Sequence, residues 1–258
     1  MSNPSFKNKK ITVMGLGLHG GGVAVVRWLN KFGAQITLTD LKTSHQLKKS
    51  LAELRGLPFK SVLGRHRRQD FVNKDLIIQN PAVPANSLYL AIARSNNIPI
   101  ENEASLFFKM VATKLIIGIT GTRGKSTTTS LAYRFLKSKY SQTLYGGNIR
   151  TKKLFEIIDK IKNDPIVLEL SSFQLENLNQ TKLSPHLAVI TNILPDHLNR
   201  YRNLSQYIKA KKNIINFQDK NDFVVLNLDN QSTKKLGQKV KSQRFWFSGQ
   251  YFAEENGT

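Results

Sequence analysis

The run Thr120-Gly121-Thr122-Arg123-Gly124-Lys125-Ser126-Thr127 follows the strand-like stretch Leu115-Ile116-Ile117-Gly118-Ile119 and precedes Leu131, Ala132, Phe135 and Leu136 at helical spacing. Glycines let backbone N–H groups approach phosphate oxygens, a following helix presents its positive end, and a lysine closing the loop meets the outer phosphates. Ser126 stands where a hydroxyl reaches a phosphate-bound Mg²⁺. A strict Walker loop has glycine six places before its lysine; Ile119 occupies that place, and the extra glycine is Gly121. Nearer the start, Gly15, Gly17 and Gly20 fit G-x-G-x-x-G, and Asp40 lies twenty residues after Gly20. That pattern reads as a turn holding a diphosphate, with Asp40 on a ribose hydroxyl, and does not separate NAD from a UDP-sugar.

Three further groups carry chemistry only in company. Glu169 closes an apolar run within Glu169-Leu170-Ser171-Ser172-Phe173-Gln174, where a carboxylate is costly unless paired or metal-bound. Asp196-His197 follows Thr191-Asn192-Ile193, on the strand-end rim where open α/β sheets bind ligands. Lys211 sits in Lys209-Ala210-Lys211-Lys212, which by itself reads as a solvated helix face.

The elements that must hold these residues alternate strand and helix. Ile11–Met14, the glycine turn, Val25, Leu29 and Phe32 on one helix face, and Gln35–Thr39 make a βαβ opening. Asp75–Ile78 is another buried strand, stopped by Asn80-Pro81-Ala82-Val83-Pro84. Ile166–Leu170, Leu187–Ile190 and Phe223–Leu228 read as interior strands, and Phe245–Phe247 as one more before a polar tail to Thr258. The expected class is α/β, with a Rossmann-like domain over 1–107 and a P-loop-type α/β domain over 108–258. A length of 258 residues fits two domains of ordinary size.

Composition narrows the function. Cysteine is absent, which excludes disulfides, thiolate metal sites and cysteine nucleophiles. No run approaches the ~18 apolar residues of a membrane span, and the polar, basic start lacks the pattern of a secretory signal, so no membrane role and a cytoplasmic location are expected. Lys+Arg 39 against Asp+Glu 17 gives a net charge of +22. That favours anionic partners, nucleic acid among them, but the basic residues form short groups without interleaved aromatic side chains. An NAD-dependent oxidoreductase built on the first turn is the alternative enzyme class, and it leaves the Lys125 loop unexplained.

Together these pieces resemble the Mur ligase family of ATP-dependent amide-forming enzymes. The resemblance runs from Gly15-Leu16-Gly17 through Gly121–Thr127, Gly146-Gly147-Asn148-Ile149, Glu169–Leu175, Asn192-Ile193, Asp196-His197-Leu198, Tyr207 and Ala210-Lys211 to Asn227-Leu228-Asp229. It implies a cell-wall (peptidoglycan) precursor ligase whose substrates are UDP-N-acetylmuramoyl-L-alanine, ATP and D-glutamate. In the first domain Gly15, Gly17, Leu18, His19 and Gly20 would face the diphosphate, with Asp40 and Lys42 near the nucleoside, Asn80 in another wall, and Asn148 contacting substrate or a phosphate. In the second, Gly121, Thr122, Arg123, Gly124, Lys125, Ser126 and Thr127 would cradle ATP, with Lys125 on the transferring phosphoryl group. Ser126 and Glu169 would hold one Mg²⁺; His197 and Lys211 would serve a second, Lys211 being carbamylated in this family. Lys125, His197 and Lys211 are thus the expected catalytic residues. His19 stands where a small hydroxyl residue is usual, and Asn199 where an acid is common. The family continues into the rest of the ATP domain and a third domain, so the resemblance implies an incomplete second domain, an absent third one, weak ligation by this chain alone, and a separate chain as a source of the missing part.

Overall fold

A computed structural model describes residues 6–111, 113, 115–149 and 151–250. In chain order the elements are β1 (Lys10–Met14), α1 (Gly21–Lys31), β2 (Gln35–Asp40), α2 (Lys48–Ala52), β3 (Lys60–Leu63), β4 (Leu76–Gln79), α3 (Leu88–Ser95), β5 (Ile100–Asn102) and α4 (Glu103–Met110). They continue with β6 (Ile116–Thr120), α5 (Lys125–Lys139), β7 (Leu144–Gly147), α6 (Leu154–Ile157), β8 (Ile166–Glu169), α7 (Ser172–Leu175) and α8 (Leu178–Thr181). β9 (Leu187–Ile190), α9 (Leu204–Lys212), β10 (Phe223–Asn227), α10 (Gln231–Gly237) and β11 (Gln243–Phe247) complete the series. The polar tail expected beyond residue 250 lies outside the described residues.

Two compact units result. Unit 1 comprises Met1–Ala112 with Gly146–Lys160, and unit 2 comprises Thr113–Tyr145 with Ile161–Thr258. Residues 146–160 therefore group with the first unit, although the sequence places them within the second half. The reason is apolar packing: the α6 residues Leu154, Phe155 and Ile157 are buried, and the Phe155 ring lies 4.8 Å from Trp28 of α1 and 6.3 Å from Phe107 of α4.

Unit 1 is built on a sheet of order β3-β2-β1-β4-β5. Its pairs are parallel, with Met14 beside Thr39 on one flank and beside Gln79 on the other. β1 is thus the switch point, where connections leave in opposite directions and a crevice opens past the strand ends. The β-branched runs of β1, β2 and β4 are buried on both faces, as a parallel sheet covered by helices requires. In unit 2 the order is β11-β10-β9-β6-β8-β7, and β6, flanked by parallel β8 and β9, occupies the corresponding position. The register sets Ile119 beside Glu169 and Thr120 beside Ile190, which brings the phosphate-type loop, Glu169 and Thr191 to one rim.

One expected feature is different. The spacing of Leu131, Ala132, Phe135 and Leu136 predicts an apolar face on α5, yet Leu131 is 49% and Phe135 77% exposed. Thr129 is the buried side chain of this helix, and α5 is fixed mainly through its first turn and β8.

Candidate nucleotide sites at two strand ends

In unit 1 the turn from β1 into α1 has no room for side chains. A Cβ on Gly22 would lie 2.3 Å from the Leu16 carbonyl oxygen, and one on Gly15 2.8 Å from the Asn80 Cβ. Gly20 caps α1 with φ 83°, in the left-handed region open to glycine. The first amides of this turn, those of Gly15, Leu16 and Gly17, are committed internally. Leu16 N and Gly17 N donate to Asp40 Oδ2 at 2.9 and 3.3 Å, and Lys42 N donates to Asp40 Oδ1 at 2.8 Å. Ser50 Oγ donates to the Gly17 carbonyl at 3.0 Å.

The Asp40 carboxylate, expected on a ribose hydroxyl, is buried and braces the turn. Past the turn opens a cleft of about 360 Å³, lined among others by Gly15, Gly17, Asp40, Lys42 and Asn80. Leu18, His19 and Asn148 belong to the same unit and are exposed. His66 and Tyr89, which no motif singled out, also line the cleft. The only sequence signal for them is their place after β3 and in α3, at the strand-end rim.

In unit 2 the loop after β6 is held by the segment that follows β9. Thr122 N donates to the Asn192 carbonyl at 2.9 Å, Arg123 N to Asn192 Oδ1 at 2.9 Å, and Thr191 Oγ1 to the Arg123 carbonyl at 2.6 Å. A Cβ on Gly121 would fall 1.9 Å from Thr191 Oγ1, which explains the glycine that the strict Walker spacing lacks. Gly124 caps α5 at φ 80°. Lys125 Nζ folds over the loop, donating to the Gly121 and Thr122 carbonyls at 3.0 Å each.

Glu169, 2% exposed, accepts from Ser126 Oγ at 2.7 Å. A hydroxyl and a carboxylate are hard oxygen donors that suit Mg²⁺, which usually takes one or two protein oxygens together with phosphates and water. Among the described residues no group of three His, Asp or Glu could hold a metal alone.

Lys211 is only 1% exposed, against the solvated face its neighbours indicate. Its Nζ donates to the Gly121 carbonyl at 2.7 Å and lies 4.7 Å from the Tyr207 ring centroid. Burial, helped by the positive charge of Lys125, lowers its pKa to about 7. As an ammonium it is a donor, not a metal ligand; the present donor set matches a second cation only if the amine is converted to an anionic group. His197 adopts φ 53°, its ring 4.8 Å from Phe173 and 6.1 Å from Tyr207. Thr191, Asn192 and Tyr207 thus complete the site; Tyr207 also lies 3.3 Å from Thr122 Oγ1.

Comparison with known proteins places this geometry. The family profile of the Mur ligase middle domain matches residues 119–255, and that of the Mur ligase MurD-like N-terminal domain matches 9–102. A UDP-N-acetylmuramoylalanine–D-glutamate ligase of Roseiflexus is 46% identical over 244 residues, covering 93% of this chain and 52% of the relative. Among solved structures, a UDP-N-acetylmuramate–alanine ligase of Thermotoga maritima superposes with TM-score 0.56 at 27% identity over 93% of this chain and 53% of its own. The UDP-N-acetylmuramate:L-alanyl-γ-D-glutamyl-meso-diaminopimelate ligase of Neisseria meningitidis reaches 0.60 at 16% identity, over 93% and 78%, a likeness of fold. The chain spans about half the length of the curated relatives it matches.

Proposed function

This chain belongs to the Mur ligase family, and from that premise we propose that it carries the two nucleotide sites of an ATP-dependent ligase joining D-glutamate to UDP-N-acetylmuramoyl-L-alanine in cytoplasmic peptidoglycan precursor synthesis. Unit 1 takes the UDP part of the acceptor and unit 2 takes ATP. The observation that carries the reading is the loop after β6, where Lys125 overlies the turn and Ser126 meets the buried Glu169 at the sheet's switch point.

A carboxylate is a poor electrophile, so the substrate's L-alanine carboxylate first attacks the γ-phosphorus of ATP, forming an acyl phosphate and releasing ADP. The D-glutamate amine then adds to the acyl carbon, and the tetrahedral intermediate expels phosphate. Lys125 leaves its loop carbonyls to meet the charge gathering on the transferring group, where a fixed cation in a site shielded from water is most effective. Ser126 and Glu169 would hold Mg²⁺, which when bound supplies neutralisation of the phosphate oxygens.

Carbamylation of Lys211 belongs to the same proposal. It removes the positive charge, leaves one N–H on the nitrogen that now reaches the Gly121 carbonyl, and adds an anionic acceptor, with His197 as its companion at a second cation. What supports it is the resemblance together with the burial of the amine beside the loop.

Calorimetry tests the reading. Mg-ATP and UDP-N-acetylmuramoyl-L-alanine are expected to bind independently and NAD not to bind; absence of Mg-ATP binding by the intact chain overturns it. Intact mass in bicarbonate buffer, with and without Lys211→Arg, reads the carbamyl group.

A further inference from the structure

The unit 1 cleft contains a side chain whose protonation is fixed by its neighbours. Thr39 Oγ1 lies 3.1 Å from the Arg65 carbonyl oxygen and 2.8 Å from His66 Nδ1. A threonine hydroxyl has one hydrogen, and the carbonyl can only accept it, so Oγ1 must accept from His66. The imidazole proton therefore sits on Nδ1, which leaves Nε2 as a lone pair. No described residue partners that nitrogen. Burial outweighs the pull of Asp40 and Asp70 and lowers the His66 pKa, which favours the neutral ring. The ring is clamped edge-on against Phe71 and Tyr89, with centroids 5.9 and 5.0 Å away.

The cleft that His66 lines also displays two leucines in solvent. Leu41 is 66% and Leu88 69% exposed, and both belong to the wall. Apolar side chains on a pocket wall beside a hydrogen-bond acceptor of fixed tautomer suit a flat ring carrying a ring N–H. We infer that His66 is the base-reading residue of unit 1: its Nε2 accepts a hydrogen bond from the ring N–H of a nucleobase lying against Leu41 and Leu88, which selects uracil over cytosine.

This rests on the reading that the unit 1 cleft takes the nucleoside diphosphate part of the acceptor, and it names what reads the base there. Uracil offers N3–H to the lone pair of Nε2. Cytosine presents a lone pair at the same position, so two acceptors would face each other and neither would be satisfied.

The test is calorimetric binding of UDP and CDP to the full chain at pH 7.5. The wild-type chain is expected to prefer UDP by about 10-fold or more. His66→Asn keeps a donor for Thr39 but has no atom at Nε2, and should bring the preference near unity; His66→Phe, which keeps the ring, should do the same. Thr39→Val leaves His66 in place, removes the group that fixes its tautomer, and should narrow the preference even if neither His66 variant folds. Binding of UDP and CDP with equal affinity, or a preference unchanged in folded His66 and Thr39 variants, overturns the role of His66 while leaving the cleft a nucleotide site. Failure of the wild-type chain to bind either nucleotide overturns the cleft reading and this inference with it.

Discussion

The two glycine turns share a backbone plan and differ in electrostatics. Each leaves the switch strand of a parallel sheet and enters a helix through a left-handed glycine, Gly20 at φ 83° and Gly124 at φ 80°, with no side-chain cap. In unit 1 a buried carboxylate, Asp40, occupies the Leu16 and Gly17 amides at the start of the turn. In unit 2 the Lys125 ammonium and the Lys211 amine lie on the loop carbonyls instead. An anion-braced turn sets a negative charge beside its own amides, so the nucleoside cleft must contribute to affinity there. A cation-braced turn carries unneutralised positive charge and gains from a triphosphate.

The largest expected effect breaks the cationic turn. Lys125→Ala should lower ATP turnover on the order of 10²-fold or more and leave UDP binding unchanged, because the turn it empties serves unit 2 alone. Near-normal turnover measured on this variant contradicts the role given to Lys125.

A pH effect of comparable size is expected in unit 1, where Glu103 reports on burial without a bound cation. Its carboxyl accepts from Leu154 N at 3.3 Å, and burial, only partly offset by Lys153, raises its pKa from 4.5 to about 7. A raised acid pKa means that the folded chain binds the proton more tightly than the unfolded chain. Its stabilisation is full below pH 4.5 and is lost as pH rises toward 7, to a total on the order of 3 kcal/mol. Urea unfolding from pH 4.5 to 8 should show this decline, and Glu103→Gln should flatten it; identical slopes in the two proteins would rule it out.

Asp40→Asn sharpens the contrast between the braces. Replacing the carboxylate leaves buried amides poorly paired and should cost about 1–3 kcal/mol of unit 1 stability, with Mg-ATP affinity unchanged. Weaker Mg-ATP binding in a folded variant would show that the turns are not independent.

The smallest effect compares the caps. Gly20→Ala and Gly124→Ala should each cost about 1–2 kcal/mol, since both force a side chain into the left-handed region. Only the second should also weaken Mg-ATP, and denaturant midpoints read beside calorimetry separate the two consequences.

Much of this was legible in the residues. Leu187–Ile190 is observed as the strand its β-branched apolar run predicts, and β1, β4, β6, β8 and β10 fall within a residue or so of theirs, because interior parallel strands must be apolar on both faces. The turn glycines were visible because closeness to backbone permits no other side chain. What stayed hidden depended on partners far along the chain. Lys211 read as a surface lysine because its neighbours are charged, yet its Nζ reaches the loop after β6, some ninety residues earlier. Asp40 read as a ligand because the spacing fits a fingerprint that cannot say whether the carboxylate points outward or back at its own turn.

By itself, then, the sequence determined the alternation of strand and helix, both glycine turns and the chemical types able to meet phosphate, since these follow from local sterics and from the periodicity of burial. Tertiary structure alone decided which strands flank β1 and β6, that Ser126 meets Glu169, that residues 146–160 pack with unit 1, and that His66 Nδ1 meets Thr39 Oγ1. Those outcomes depend on sheet order and register, which bring together side chains whose separation along the chain carries no trace of their contact.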